Sequence, residues 1–358
     1  MSKAAELAAL IGSGQAQGDK NLIINGAMQV AQRGTSFADL SGYGLDRFQV
    51  GSSDSAAVTV TQDTTVPSGE GFKNSMKFDV TTADTSLGAS EYYQFFQKIE
   101  GQNTAHLMWG TSDAKSVTLS FWCRSNKIGT YVTTFLNSAT NRFNPNNFTI
   151  SSANTWEKKT ITVSGDTTGT WLTTNGIGLY VIWNLALGSN FDDGTDGTWG
   201  SGDYGSGTTV NFLDSTSNEF YLTGVQLEIG EVATPFEHED IGTTLAKCQR
   251  YYAIRENTAA SSTYFCNLQA YATTSVFGYI ADYPATMRST PTVSQSGEFG
   301  VYQANSGNAS VPTTIGNLAG ANYGWLTGGW GNGSNLVAGD ASVMFANAGA
   351  KLIADAEL

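Results

Sequence analysis

The chain has little with which to do metal, redox or phosphate chemistry. Among 358 residues there are two histidines, His106 and His238, and three cysteines, Cys123, Cys248 and Cys266. An odd number of cysteines at unrelated spacings supports neither a disulfide framework nor a metal cluster, so buried thiols are expected. Neither histidine has Ser/His/Asp or metal-ligand spacing around it, and His238, in FEHED, is expected to make a structural hydrogen bond. Phosphate-loop and dinucleotide fingerprints are missing as well. Lys and Arg total 18 against 31 Asp and Glu, a formal net charge of -13. They form no cluster of the kind that displaces counterions from a nucleic acid. The apolar runs AELAALIG and YVIWNLALG fall short of the ~20 residues of a membrane span, and no charged start with an apolar core marks a signal peptide. Synthesis in a cytoplasm without membrane insertion is the expectation.

What the chain does have is turn-forming and hydroxyl-rich. Charged residues are only 14%, while there are 41 glycines, with 40% hydrophobic and 11% aromatic residues. That profile offers enough apolar surface to offset chain entropy and suits a β-rich protein of two domains. The alternation is clearest in VTLSFWC, where Val117, Leu119 and Phe121 point one way and Thr118, Ser120 and Trp122 the other. Strands are also predicted in residues 21–30 and in AVTVTQ, NSMKFDV, EYYQFFQKIE, GTYVTTFLNS, NNFTISS, WEKKTITVSG and GIGLYVIWNLALG. Counting to Ile229 gives about ten, the grammar of a two-sheet antiparallel jelly roll. EYYQFF puts aromatics on both faces, so one face needs a cover: the C-terminal domain, a neighbouring subunit or a ligand.

Residues 220–252 organise the rest. Tyr221, Thr223, Val225, Leu227 and Ile229 are expected on a buried face, with Gln226 and Glu228 on a wet one. Gly230 and Pro235 end the strand. Ile241, Leu245 and Cys248 then make a short helical face that Asp240 can cap. Beyond Tyr252 a second, smaller antiparallel β domain is predicted. At the other end, residues 2–11 carry a helical stripe of Ala4, Leu7, Ala8 and Ile11 ahead of a linker.

The motifs VQLE, ATPFE and CQRYY, with NLIINGAMQVAQRGTSF and YGLDRFQV far upstream, closely resemble a signature of bacteriophage tail-fibre and other virion structural proteins. They bracket a domain similar to a carbohydrate-binding-module jelly roll. The resemblance implies a place in a virus particle, the virion, and identifies no ligand. On this reading residues 1–20 are an attachment helix and linker, 21–238 the jelly roll, 239–250 a helical hinge and 251–358 the C-terminal β domain. The motif residues Arg33, Asp46, Arg47, Glu228, Pro235, Phe236 and Arg250 are expected to be structural. Arg33 in particular has a fork of donors suited to loop carbonyls or to Asp46.

Ligand contacts are sought in loops. Residues 188–209 are too long and glycine-rich for a simple turn. Asp192, Asp193, Asp196 and Asp203 could offer oxygens to Ca2+, but their order does not match a calcium loop, and no cofactor or metal is expected. Trp199 and Tyr204 are the candidate sugar-stacking rings, with a Trp folded back over the sheet edge as the alternative. Trp325 and Trp330, in a second, uncharged glycine-aromatic loop, are candidates to pack against a glycan or against a subunit. A glycosidase needs two carboxylates at a cleft, and nothing singles out Glu91, Glu100 or Asp113. The resulting expectation is a non-enzymatic phage virion protein: a short tail fibre or receptor-binding component, acting as a homotrimer. Its N-terminal segment would meet other tail or capsid proteins, and its β domains would meet host surface polysaccharide by avidity. The rivals are a purely architectural capsid decoration or tail adaptor, and a capsule depolymerase.

Overall fold

The computed structural model describes residues 20–207, 209–273, 275–303, 309–310, 318–321, 324–327 and 336–358. The helical stripe expected at residues 2–11 lies outside them. The chain divides into two compact units between Thr244 and Leu245.

The first unit contains β1 (Ser36–Phe37), β2 (Gly42–Tyr43), β3 (Phe48–Ser52), β4 (Ala57–Asp63), β5 (Ser75–Thr82) and β6 (Tyr92–Glu100). It continues with β7 (Val117–Ser125), β8 (Gly129–Leu136), β9 (Phe143–Ile150), β10 (Glu157–Val163), β11 (Ile177–Leu187) and β12 (Glu219–Ile229). All pair antiparallel, in sheet A (β1-β4-β5-β12-β7-β10) and sheet B (β2-β3-β6-β11-β8-β9). This is the jelly-roll sandwich that the alternation implied. Val117, Leu119, Phe121 and Cys123 all join its core. Aromatic rings fill the space between the sheets. Phe78 of sheet A stacks on Phe95 of sheet B at 4.5 Å, Phe95 stacks on Trp183 at 5.3 Å, and Phe121 meets Trp183 edge-on at 5.8 Å.

Three expectations are corrected. Residues 21–30 form turns, not a strand. Asn25 and Met28 have φ of 62° and 57°, and the Asn25 amide ties Val30 N, Val30 O and Asp46 O. Two polar side chains hold the segment in place. Gln97 grips the backbone of Ile24 through both amide atoms, and Asn21 holds Val225 O and Leu227 N.

β12, secondly, is buried on both faces. Gly224, at φ +62°, sits in a bulge where the pairing with β7 shifts between Thr223 and Gln226. The bulge reverses the alternation: Phe220 and Leu222 face the core before it, Val225 and Leu227 after it, and Tyr221 lies under the Lys77 ammonium instead. Gln226 and Glu228 are 0% and 1% exposed, because Asn21 and residues 234–237 cover them.

Thirdly, the second aromatic face of β6 is covered from within the same unit. Phe96 clusters with Leu136, Phe143 and Ile182 under Tyr180 and Tyr204.

The helices are brief. Helix α1 is Gly101–Thr104, and a 3-10 turn follows it at Ala105–Leu107. Helix α2, Ile241–Gln249, is capped by Asp240, whose Oδ1 accepts from Gly242 N at 2.9 Å and Thr243 N at 3.3 Å. No helix among the described residues is long and apolar enough to cross a membrane.

The second unit is also antiparallel. β13 (Tyr252–Glu256), β22 (Lys351–Asp355) and β16 (Thr292–Ser296) form one sheet in that order. The other sheet has the order β18-β17-β21-β14-β15-β20-β19. These are β18 (Ala309–Ser310), β17 (Phe299–Gln303), β21 (Ala341–Ala346), β14 (Thr263–Ala272), β15 (Ser275–Asp282), β20 (Gly324–Thr327) and β19 (Leu318–Ala321). Its core draws on Ala253, Ala270, Ala346, Ala350, Ala354 and Ala356 around Phe299, Met344 and Leu352. The thiols of Cys123 and Cys248 are buried and that of Cys266 is half-buried, all unbridged. Burial pushes Cys123 up to about 12 and Cys266 up to about 11.

Candidate functional site

One end of the jelly roll gathers three tryptophans from three separate loops. Trp109 follows the 3-10 turn, Trp171 lies between β10 and β11, and Trp199 sits in the long loop after β11. All three pairs meet edge to face, at 4.7, 5.3 and 5.4 Å between ring centroids. Every indole N–H is held by a backbone carbonyl. Trp109 Nε1 donates to Lys115 O at 2.7 Å, Trp171 Nε1 to Thr168 O at 3.2 Å and Trp199 Nε1 to Ser164 O at 2.8 Å. With their polar tips engaged, the rings are fixed before any ligand arrives.

The loops are bolted together beneath the rings. Arg142 forks onto Asp166, Nε to Oδ2 at 2.7 Å and Nη2 to Oδ1 at 2.8 Å. Asp166 is buried. It also accepts from Thr168, and its carbonyl takes Gly110 N at 2.7 Å. Burial would raise its pKa, but the Arg142 and Thr168 hydrogen bonds outweigh that and hold it below the ordinary aspartate value. Gly110 and Gly169 both have positive φ, and a Cβ on Gly110 would lie 2.9 Å from Gly169 O. Only glycine allows this approach.

Beside the cluster opens a cleft of about 240 Å3, walled by Thr104, Leu107, Met108, Thr111, Trp171 and Leu172 among others. Met108 and Leu172 are 41% and 37% exposed, and no charged side chain lines the space. A concave apolar wall with hydroxyls at its rim suits a neutral ligand with one apolar face.

The residues expected to bind fare differently. Trp199 is half-buried, folded back onto Trp109 and Trp171, and supports the cleft without lining it. Tyr204 is no exposed platform. It packs edge-on against Phe143 at 5.1 Å and Phe191 at 6.0 Å, and its carbonyl receives the Thr134 hydroxyl and the Asn184 amide. Trp325 stands in β20 opposite Ala281, and Trp330 lies outside the described residues. Trp109 and Trp171 were missed. The signal for the latter is the tripeptide Gly-Thr-Trp, which occurs twice, at 169–171 and 197–199, each time with its glycine at positive φ.

Two carboxylates of the acidic loop are taken up by the protein's own backbone and hydroxyl groups. Asp192 accepts from Gly207 N, Thr209 N and Thr209 Oγ1, and Asp196 accepts from Asn147 N. Among the described residues no group of three or more His, Cys, Asp or Glu is arranged to hold a metal. Of the carboxylates weighed for bond cleavage, Glu91 is engaged by Gly88 N at 2.6 Å.

The motif residues take structural positions. Asp46 is buried, which raises its pKa against the opposing effect of Gln32, Arg33 and Arg47. It accepts from Gln32 N and Gln32 Nε2, while the Arg33 guanidinium lies 5.1 Å over the Tyr43 ring. Arg47, 1% exposed with φ +71°, donates to Lys98 O. Glu228 takes Gln226 Nε2, Thr234 N and Thr234 Oγ1, and Pro235 O takes Lys20 Nζ. Phe236 packs edge-on against Phe72 at 5.0 Å. In the second unit Arg250 reaches Thr286 O at 3.3 Å. His238, expected to form a hydrogen bond, instead packs its ring against Phe72 and Phe236.

No protein-family model and no characterised protein matches the chain by sequence. Solved structures with a similar chain path include the enzymatically active domain of tailspike protein 4 from bacteriophage CBA120, with TM-score 0.32 and 13% identity. That match covers 59% of this chain and 22% of that one, so the chain spans about a fifth of the tailspike's length. A CBM4 structure matches at TM-score 0.28 and 16% identity, covering 57% of this chain and 98% of that one. The CBM22-1 xylan-binding domain from Paenibacillus barcinonensis matches at TM-score 0.27 and 10% identity, covering 61% and 99%. Scores this low carry no weight of their own, and the fold rests on the strand order given above.

Proposed function

We propose that the protein is a non-enzymatic adhesin of a phage particle, a short tail fibre or receptor-binding component that holds host surface polysaccharide. The observation that carries the reading is the tryptophan cleft. Three rings are pinned by backbone acceptors, two of them, Trp109 and Trp171, line an open apolar wall, and threonine residues line it with them. A sugar ring has one apolar face and an equator of hydroxyls, which matches such a wall. The absence of charge from the lining points to a neutral sugar. The placement in a virion rests on the resemblance of the VQLE, ATPFE and CQRYY motifs. Weak contacts at each cleft would be multiplied by copy number, in a homotrimer and across the particle.

The test is retention of the purified protein on host-cell envelopes. Trp171→Ala should weaken retention by about tenfold or more, and Trp199→Phe, which keeps an aromatic support, should weaken it less. Envelopes that retain both variants as well as wild type, with thermal stability unchanged, sink the assignment. Shortening of the polysaccharide during incubation would show a depolymerase instead.

A further inference from the structure

The outer face of sheet A carries a second cleft, of about 450 Å3, walled by Glu70, Trp122, Lys158, residues 233–236 and His238. Trp122 points outward because its neighbours Phe121 and Cys123 point into the core, and it remains half-buried. The bulge at Gly224 makes room for it. A Cβ at Gly224 would lie 3.1 Å from Trp122 Cδ1 and 2.5 Å from Phe72 Cζ, so a side chain there would push the rings out of place. His238 is fixed at the rim by its contacts with Phe72 at 5.2 Å and Phe236 at 5.0 Å.

What sets this cleft apart is unspent polarity of both signs. Glu70, Lys158 and His238 all line it, and none of their side chains makes a hydrogen bond or ion pair with a described residue. Elsewhere on the same sheet face the charges are engaged. Lys77 pairs with Glu219 at 2.7 Å, Arg124 donates to Asn154, and Glu228 is saturated by Gln226 and Thr234. One carboxylate, one ammonium, one imidazole and one indole therefore share a concave site with no internal partner.

We propose that this cleft is a second binding site, separate from the tryptophan cleft, and that it takes a small zwitterionic substituent: an ammonium and a phosphate or carboxylate on one short chain. The ammonium is complementary to the Glu70 carboxylate and to the Trp122 ring face. The anion is complementary to Lys158 and to an N–H of His238. A site of one sign would accept a simple ion, whereas this one is matched only by a molecule carrying both charges. It does not depend on the adhesion reading, since it uses none of the residues of the other cleft.

The test is calorimetric titration of the full chain with phosphoethanolamine, with inorganic phosphate and ethanolamine as separate probes. Saturable binding is expected, with each half-molecule bound about tenfold more weakly or worse. Glu70→Gln and Lys158→Met change exposed side chains and should each weaken binding by about tenfold, as should Trp122→Ala, while Trp171→Ala should leave it unchanged. No saturable binding by the folded protein, equal affinity for phosphate alone, or unaltered affinity in the Glu70 and Lys158 variants would each overturn the proposal. Loss of envelope retention in Trp171→Ala reports on the other cleft and leaves this result independent.

Discussion

The two units of the chain are both antiparallel, yet they are filled in opposite ways. The jelly roll spaces its sheets with large rings, in which Phe78, Phe95, Trp183 and Phe121 form a continuous chain of contacts from one sheet to the other. In the second unit, six alanines stand among the buried residues. Sheets packed face to face sit ~10 Å apart when ordinary side chains interdigitate. A stack of rings fills that gap with few residues, and each ring is hard to replace. An alanine-rich core brings backbones close together and has little room for anything larger. The first unit should therefore be sensitive to loss of volume, the second to its gain.

The sharpest way to break this contrast is to delete a ring. Trp183→Ala should cost the jelly roll ~3–5 kcal/mol, read as a lowered denaturation midpoint for that unit while the second unit's transition stays put. If both transitions move together, the units are not independent and the contrast fails. The converse change, Ala354→Leu in the central strand β22, should cost ~1–3 kcal/mol by overpacking. A neutral result would show spare room where none is expected.

Smaller effects sharpen the picture around the clefts. The folded pKa of Asp166 is depressed, so its contribution is present above the unfolded value, 3.8, and is lost as pH falls through the folded value. Asp166→Asn should cost roughly 1–2 kcal/mol at neutral pH and flatten the acid limb, with tryptophan fluorescence reporting the loops. The smallest effect has the opposite sign. Burial raises Asp54 to about 6, so the folded state is penalised when Asp54 is ionised, and the penalty is relieved as pH falls from about 6 towards 3.8. Asp54→Asn keeps an oxygen for Ala56 N and should raise Tm at pH 8 by on the order of 1–2 °C, discounted for its partial exposure. The gain should vanish at pH 4.

The alternation of VTLSFWC could be read because each residue there meets only one environment, core or outer face. Residues 21–30 were read as alternating yet are no strand, since the side chains of Asn21 and Asn25 turn the backbone locally while Gln97 and two main-chain bonds to β12 hold it from far along the chain, and a period-two pattern encodes neither. β12 was misread for two separate reasons. A glycine can announce a bulge, and Gly224 did, but nothing local says that Gln226 and Glu228 will be roofed by a segment that returns 6 to 11 residues later. The candidate site was half visible. Trp199 was identified as an aromatic in a long loop, while its partners Trp109 and Trp171 come from loops 90 and 28 residues away in sequence, and only the fold brings them into contact.

The loop after β11 has a further consequence at the end of sheet B. β9 is an edge strand, and several of its outward main-chain groups are engaged. Phe143 exchanges N–H and C=O with Gly200, Pro145 has no N–H and its carbonyl takes Gly197 N, Asn147 N goes to Asp196, and Thr149 O to Lys159. A bare edge invites a strand from a second molecule. This one is largely covered from Phe143 to Asn147, so copies crowded side by side would find little main-chain template there on which to fuse into ribbons.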